Sequence, residues 1–245
     1  MQKIFLNSKT GKICCLYNKL NADSIVILAH GYLSNKNSTT NKRLVELLNE
    51  KGISTIAFDM YGHGESDGDV EHLTITKAVE NLLTVYDFVK SEDYEKIGVA
   101  GSSFTGIVSL IAASKREFTV VSLKCPVFDS KKLWDDRFGR TGVEKWKEEG
   151  FITPFGKKWH FEAYEDASKY NMEKITSEIK APTLVVHGNK DVTVPLSHAK
   201  GIISALSSEK KLVVVEGANH FFEDEKHFKE MINASFEWLI LHVRR

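Results

Sequence analysis

The sequence predicts an α/β fold: a mostly parallel, eight-stranded sheet opened by an N-terminal antiparallel hairpin, with helices on both faces and one cap-like insertion. Three observations predict it. Short apolar runs alternate with helically spaced segments, two short runs flank a tight turn before that alternation begins, and from about 129 to 170 the alternation stops. Strand and helix in strict alternation force parallel pairing, because each helix carries the chain back to the end of the sheet from which the strands start. The 245 residues are read as a single domain, 1–245, with the insertion at about 129–170.

In order, Lys3–Leu6 and Lys12–Tyr17 flank the turn signal Ser8-Lys9-Thr10-Gly11 and read as the hairpin. Ser24–Ala29 is a nearly continuous apolar run, the pattern of a strand covered on both faces. Arg43–Lys51 has helical spacing through Leu44, Leu47 and Leu48 and stops at Gly52. Ser54–Phe58, Ile97–Ala100, Val120–Leu123, Thr183–Val186 and Leu212–Val215 read as the remaining strands. Thr74–Lys90, Phe104–Ser114, Leu196–Leu206 and Glu225–Val243 read as helices. The insertion holds Trp134, Trp146 and Trp159, with Phe138, Phe151, Phe155, Phe161, Tyr164 and Tyr170 between them. These aromatics either pack a helical excursion into a small core of its own or cap a pocket, with Trp134, Phe138 and Trp159 as substrate contacts.

Composition narrows the function. Hydrophobic residues make up 42% and charged residues 27%, which argues for a packed core. Lys plus Arg number 33 against 33 for Asp plus Glu, so no net field draws the chain to nucleic acid or an anionic membrane, and a small-molecule partner is expected. Met1–Tyr17 lacks the marks of a secretory signal, and the longest apolar runs have strand length rather than the roughly 20 residues of a membrane span. Three cysteines, two of them the adjacent Cys14 and Cys15, show no CxxC spacing and read as reduced thiols of a cytoplasmic protein. Oligomeric state stays open, a homodimer included.

The chemistry concentrates after three predicted strands. Gly101-Ser102-Ser103-Phe104-Thr105-Gly106 is a tight strand-to-helix turn that can expose a serine hydroxyl over a helix N-terminus. A phosphate loop would need Lys and Ser or Thr where Ile107 and Val108 stand; a plain structural turn remains the alternative. Asp191 and His220 each follow a later strand, giving the chain order Ser, Asp, His. Serine needs an imidazole to take its proton and a carboxylate to fix the imidazole's tautomer, so Ser103 is the candidate nucleophile, His220 the general base and Asp191 its orienting partner. His187, four residues before Asp191, suggests a metal pair, but no third ligand is apparent and no metal is expected. Oxyanion donors are expected from the backbone N–H of Phe104 and, in the loop His30-Gly31-Tyr32 after the third strand, from the N–H of Tyr32. No cofactor is implied.

Taken with Asp59-Met60-Tyr61-Gly62-His63-Gly64-Glu65-Ser66, these segments give nearly the whole chain a resemblance to the α/β-hydrolase superfamily. Within it, the chain looks most like bacterial feruloyl or cinnamoyl esterases, with monoacylglycerol lipases as neighbours. The resemblance implies hydrolysis of a small carboxylic ester through an acyl-enzyme, a cap between Cys125 and Thr183 whose aromatics fit an aryl or acyl group, and a loop-shaping role for Asp59 and His63. The sequence departs from the family at Thr105, where glycine is usual, and at Ser102 and Phe104 beside the nucleophile. Thioesterase, amidase, peptidase or monoacylglycerol lipase activity would use the same triad. A non-catalytic homologue that only holds a ligand is the reading from another class.

Overall fold

The structure, a computed structural model, describes residues 1–20 and 23–244, apart from the side chain of Phe155. β1 (Gln2–Ser8) and β2 (Gly11–Asn18) form the antiparallel hairpin, and β2 joins β4 (Ser54–Phe58) antiparallel. From there every pairing is parallel: β4 to β3 (Ser24–Ala29), then β5 (Lys96–Ser102), β6 (Val120–Lys124), β9 (Thr183–Gly188) and β10 (Lys210–Val215). The eight strands make one sheet, and β3 and β4 near its middle are buried at every position. That is why their sequences are continuously apolar rather than alternating.

Strand periodicity divides the core. Ile25, Ile27 and Ala29 of β3 point into one apolar cluster, while Val26 and Leu28 point into the other. The first cluster is closed by α2 (Ile75–Ser91), α3 (Phe104–Lys115) and α7 (Leu196–Ala205). The second is closed by Leu44 and Leu48 of α1 (Thr39–Glu50) and by Trp238 and Leu239 of α8 (Glu225–Val243). Parallel strands thus deliver their carboxyl ends, and the loops that follow, to one rim. Among the described residues no helix is long and apolar enough to cross a membrane, and the three cysteines are free and buried.

Several boundaries differ from expectation for local reasons. α1 begins at Thr39, before the expected Arg43, because the hydroxyl of Ser38 accepts the N–H of Asn41 and caps the helix. β10 begins at Lys210, two residues before the apolar run, since an edge strand tolerates exposed lysines.

The expected excursion is α4 (Ser130–Glu149), two short strands β7 (Phe151–Ile152) and β8 (Trp159–His160) paired antiparallel, and α5 (Glu162–Ala167), followed by the short α6 (Met172–Ser177). α4 is interrupted at Gly139, whose φ is 62°. The tryptophans do not form a separate core: Trp134, Trp146 and Trp159 belong to the same cluster as α2 and α3. Trp146 and Trp159 satisfy their buried indole N–H groups on the carbonyls of Trp159 and Leu73, at 3.1 and 2.9 Å. Asp166 of α5 accepts from the backbone N–H and the hydroxyl of Thr76, at 2.8 and 2.6 Å, tying the excursion to the first turn of α2.

The first turn of α3 leaves no room for a side chain at Gly106, where an added Cβ would sit 2.3 Å from Pro126 Cβ. Gly106→Ala is therefore expected to destabilise the fold by about 1–3 kcal/mol through overpacking, read as a lower urea midpoint at unchanged slope.

Candidate active site

β5 hands the chain to α3 through Ser103, which caps the helix with φ 56° and ψ −115° and uses no side-chain cap bond, so its hydroxyl is left free of the helix. Such a φ costs a non-glycine residue on the order of 1–3 kcal/mol and must be held by its surroundings. Here the N–H of Ser103 donates to Lys124 O at 2.9 Å, and its carbonyl accepts from Gly106 N at 2.9 Å and Val127 N at 3.0 Å. Thr105, where the family motif has glycine, is fully buried. Its hydroxyl accepts from Ser102 N at 2.8 Å and lies 2.9 Å from the carbonyls of Ala29 and Ser102, pinning the turn to β3. The room that glycine usually gives is supplied one residue later by Gly106.

The three expected functional side chains meet. His220, in the loop after β10, has Nε2 2.9 Å from Ser103 Oγ and Nδ1 2.6 Å from Asp191 Oδ2. The other carboxylate oxygen of Asp191 accepts from the N–H groups of Thr193 and Val194, both at 2.8 Å. Burial opposes ionisation of Asp191, but hydrogen bonds from His187 and His220, with the N–H of Val194, outweigh it and hold the carboxyl well below its ordinary range. His187 is itself fully buried, its Nε2 2.9 Å from Val194 O and 3.3 Å from Asp191 Oδ2.

Beside this pair the fold brings a group that sequence reasoning did not find. Cys125, at the end of β6, offers a third donor atom within 4.8 Å of those of His187 and Asp191. Burial, then the charge of Asp191, pushes its thiol up, and Asp191 is already engaged by both imidazoles. With the carboxylate already engaged by two imidazoles, the thiol is placed to support Asp191 by a further hydrogen bond.

The expected oxyanion loop lies against the serine: a Cβ on Gly31 would be 3.4 Å from Ser103 Cβ and Ser102 O. Among the described residues, the N–H groups of Tyr32 and Phe104 donate no hydrogen bond. Two neutral imidazoles hold the loop. His30 accepts from Met60 N through Nε2 at 3.1 Å and bonds Gly31 O through Nδ1 at 2.8 Å. His63 accepts from Leu33 N at 3.1 Å and bonds Tyr61 O at 2.9 Å. Behind them Asp59 accepts from Lys36 N and from the Lys36 ammonium, at 2.7 and 2.6 Å.

A cleft of about 460 Å³ opens over Ser103 and His220, with Tyr32, Leu33 and Phe221 at its wall and mouth. Trp134, Phe138 and Trp159 are not brought into that lining. Trp159 reaches the site indirectly, stacked on Tyr32 at 4.4 Å between centroids and edge-on to Phe104 at 6.0 Å. Trp134 packs edge-on against Trp159, and Phe138 against Trp146. Lys124, Thr40 and Phe221 line the cleft without any motif to announce them. Only the position of Phe221 beside His220 could have signalled it.

Residues 42–244 match the model of the prolyl oligopeptidase family. The chain is 23% identical over 223 residues to the mitochondrial palmitoyl-protein thioesterase ABHD10 of Bos taurus, covering 84% of this chain and 70% of that one. It is 34% identical over 89 residues to a carboxylesterase of Bacillus subtilis, 36% of this chain and 35% of the relative. In fold it is similar to Est1E from Butyrivibrio proteoclasticus with ferulic acid bound, with a TM-score of 0.87 and 21% identity over 99% of this chain and 100% of that one.

Burial first, and for His30 the neighbouring His63, lowers both loop histidines from their ordinary value, against the pull of their backbone carbonyls and Asp59. Protonation would convert an acceptor of a backbone N–H into a donor. Because the folded pKa values are depressed, the stability they contribute is complete above about pH 6.5 and lost as pH falls from there through the folded values. Chemical unfolding between about pH 7.5 and pH 5 should show that loss, and His63→Gln, which keeps an acceptor but cannot be protonated, should show less of it.

Proposed function

The chain belongs to the prolyl oligopeptidase family and is a hydrolase of the α/β-hydrolase type, and from that premise we propose that it cleaves carboxylic esters through an acyl-enzyme on Ser103. The observation that carries the proposal is the continuous hydrogen-bonded line from Ser103 Oγ through His220 to Asp191, at 2.9 and 2.6 Å. Ser103 Oγ attacks the carbonyl carbon while His220 Nε2 takes its proton. Asp191 keeps the other proton on Nδ1 and stabilises the imidazolium. The N–H groups of Tyr32 and Phe104 receive the developing oxyanion, which they can do because no other acceptor among the described residues engages them. Collapse expels the alcohol with the proton from His220. Water, activated by the same imidazole, then releases the acid and restores the hydroxyl.

Among esters, aryl substrates of the feruloyl type and short acyl chains are the proposed class. A cleft of about 460 Å³ suits such groups, and the structural neighbour Est1E was solved with ferulic acid bound. The segment from Ser130 to Ala167 serves as the cap. Trp159 sets the position of Tyr32 by stacking, and Trp134 and Phe138 form the packed layer behind it. Thioester cleavage runs on the same groups, and the name of the thioesterase relative supports it. Peptide cleavage, which the family name denotes, requires His220 to protonate a poorer leaving group.

Ser103→Ala is expected to lower kcat on p-nitrophenyl butyrate and methyl ferulate at least about 10⁴-fold while affinity for a substrate analogue is kept. Asp191→Asn should cost about 10⁴-fold by freeing the wrong tautomer. A fluorophosphonate should label Ser103 alone. Failure of the wild type on these esters, an acyl thioester and a peptide p-nitroanilide, together with an unlabelled Ser103, would sink the proposal. A ligand response shared by wild type and Ser103→Ala without turnover would point instead to a binding protein.

A further inference from the structure

We infer that Lys124 makes the cleft selective for esters carrying a carboxylate near the scissile bond, an inference that rests on the hydrolase reading and names its substrate class. Lys124 is the last residue of β6, and its carbonyl accepts the N–H of Ser103 at 2.9 Å, so its backbone is fixed beside the nucleophile. Lys124 lines the same cleft as Ser103 and His220, and also a smaller hollow that shares Thr40 and Ser102 with it.

The ammonium has no counter-ion in contact with it among the described residues. It makes no ion pair and no hydrogen bond with them, and it sits over the face of the Phe222 ring, 5.5 Å from the centroid. The contrast within this chain is Lys36, also drawn inward, which holds both Asp59 and Glu65 at 2.6 and 2.9 Å. A partly desolvated cation held only by a ring face and a distant carboxylate gains from an anionic ligand that contacts it. Burial lowers the pKa of Lys124, and the neighbouring Cys125 and Asp191 act against that shift. Asp191 acts on the ammonium only from a distance: its oxygens are taken up by His220, His187 and the N–H groups of Thr193 and Val194, and it makes no ion pair with Lys124.

The remaining lining agrees with an anion. No described Asp or Glu lines the cleft, whereas the hydroxyl residues Ser34, Ser38, Thr40, Ser102 and Thr193 do. Ser38 and Thr40 are also the cap and first turn of α1, so the positive end of a twelve-residue helix opens on the same side. An ammonium, a helix N-terminus and a lining of hydroxyl residues, with no carboxylate among them, match a carboxylate held by charge-assisted hydrogen bonds.

Two matched pairs locate that charge. p-Nitrophenyl hydrogen glutarate against p-nitrophenyl pentanoate places it on the acyl side, and p-carboxyphenyl butyrate against phenyl butyrate places it on the leaving side. The quantity read is kcat/KM for the anionic ester over that for its neutral partner, compared between wild type and Lys124→Gln so that intrinsic reactivity cancels. This ratio should fall about 10- to 100-fold in Lys124→Gln in one of the two arms, the range expected for loss of a charge-assisted hydrogen bond. Lys124→Arg should keep most of it, and raising the salt concentration should lower it in the wild type. A ratio unchanged within about twofold in both arms overturns the inference, because a charge-assisted contact is worth more than that. Should no ester be turned over, the hydrolase reading fails by itself. Calorimetry of Ser103→Ala, with and without Lys124→Gln, using glutaric acid monoanilide against pentananilide then decides the role of Lys124. Lys124-dependent preference for the anionic anilide sustains it, and equal binding overturns it.

Discussion

A serine whose backbone sits at φ 56° cannot hold that conformation by itself, and much of the architecture can be understood as what keeps it there. β5 and α3 must nearly touch, which Gly101 and Gly106 allow: a Cβ on Gly101 would lie 2.5 Å from Ser109 Oγ. β6 must run alongside to offer the Lys124 carbonyl, and the next loop must return Val127 N to the serine's own carbonyl. Thr105 then closes the arrangement on β3. With each backbone group of the serine committed, the hydroxyl is what remains for solvent or substrate.

Lys124 apart, the polar groups around it are arranged so that charge stays where it is compensated. Asp191 is buried but receives two backbone N–H groups and two imidazoles. Lys36 is buried against Asp59, with the half-exposed Glu65 on its other side, and this trio pins two loops at once; removing Lys36 or Asp59 would strand the other where an unpaired charge is costly. His30 and His63 fasten loops without any charge, since each neutral ring joins a backbone N–H on one side to a backbone carbonyl on the other. The result is a site whose loops are fastened by directional bonds as well as by aromatic packing, and the directional bonds set positions more finely than hydrophobic contact can.

How far this was legible in the sequence depended on whether the signal was local. β3 and β4 announce themselves because burial on both faces leaves an uninterrupted apolar run. Ser103, Asp191 and His220 were readable because each follows a strand in a short loop of small or turn-forming residues, so their order along the chain converts to proximity at one rim. Thr105 looked like a defect in the motif, since nothing local says that its hydroxyl replaces an absent glycine with hydrogen bonds. Lys124 and Cys125 were silent for another reason: a lysine and a cysteine at the end of a strand look alike whether they face water, a core or a cleft, and only the packing of β6 between β5 and β9 decides. The tryptophans were visible as a cluster, but whether a ring faces a ligand or another ring is a tertiary matter.

Those rings carry a consequence for how substrate range could evolve. Trp134, Trp146 and Trp159 share the main apolar cluster instead of standing apart from it, and each aromatic of this size buries about 150–250 Å², roughly 4–6 kcal/mol at about 25 cal/mol per Å². Swinging the Ser130–Ala167 segment aside would therefore tear the same fabric that holds α2 and α3 together, and grafting a foreign segment would meet that resistance too. The cheaper route to new chemistry runs along the threshold of the cleft, where Leu33 and Phe221 stand exposed. Variation there can trim the doorway while the building stays up.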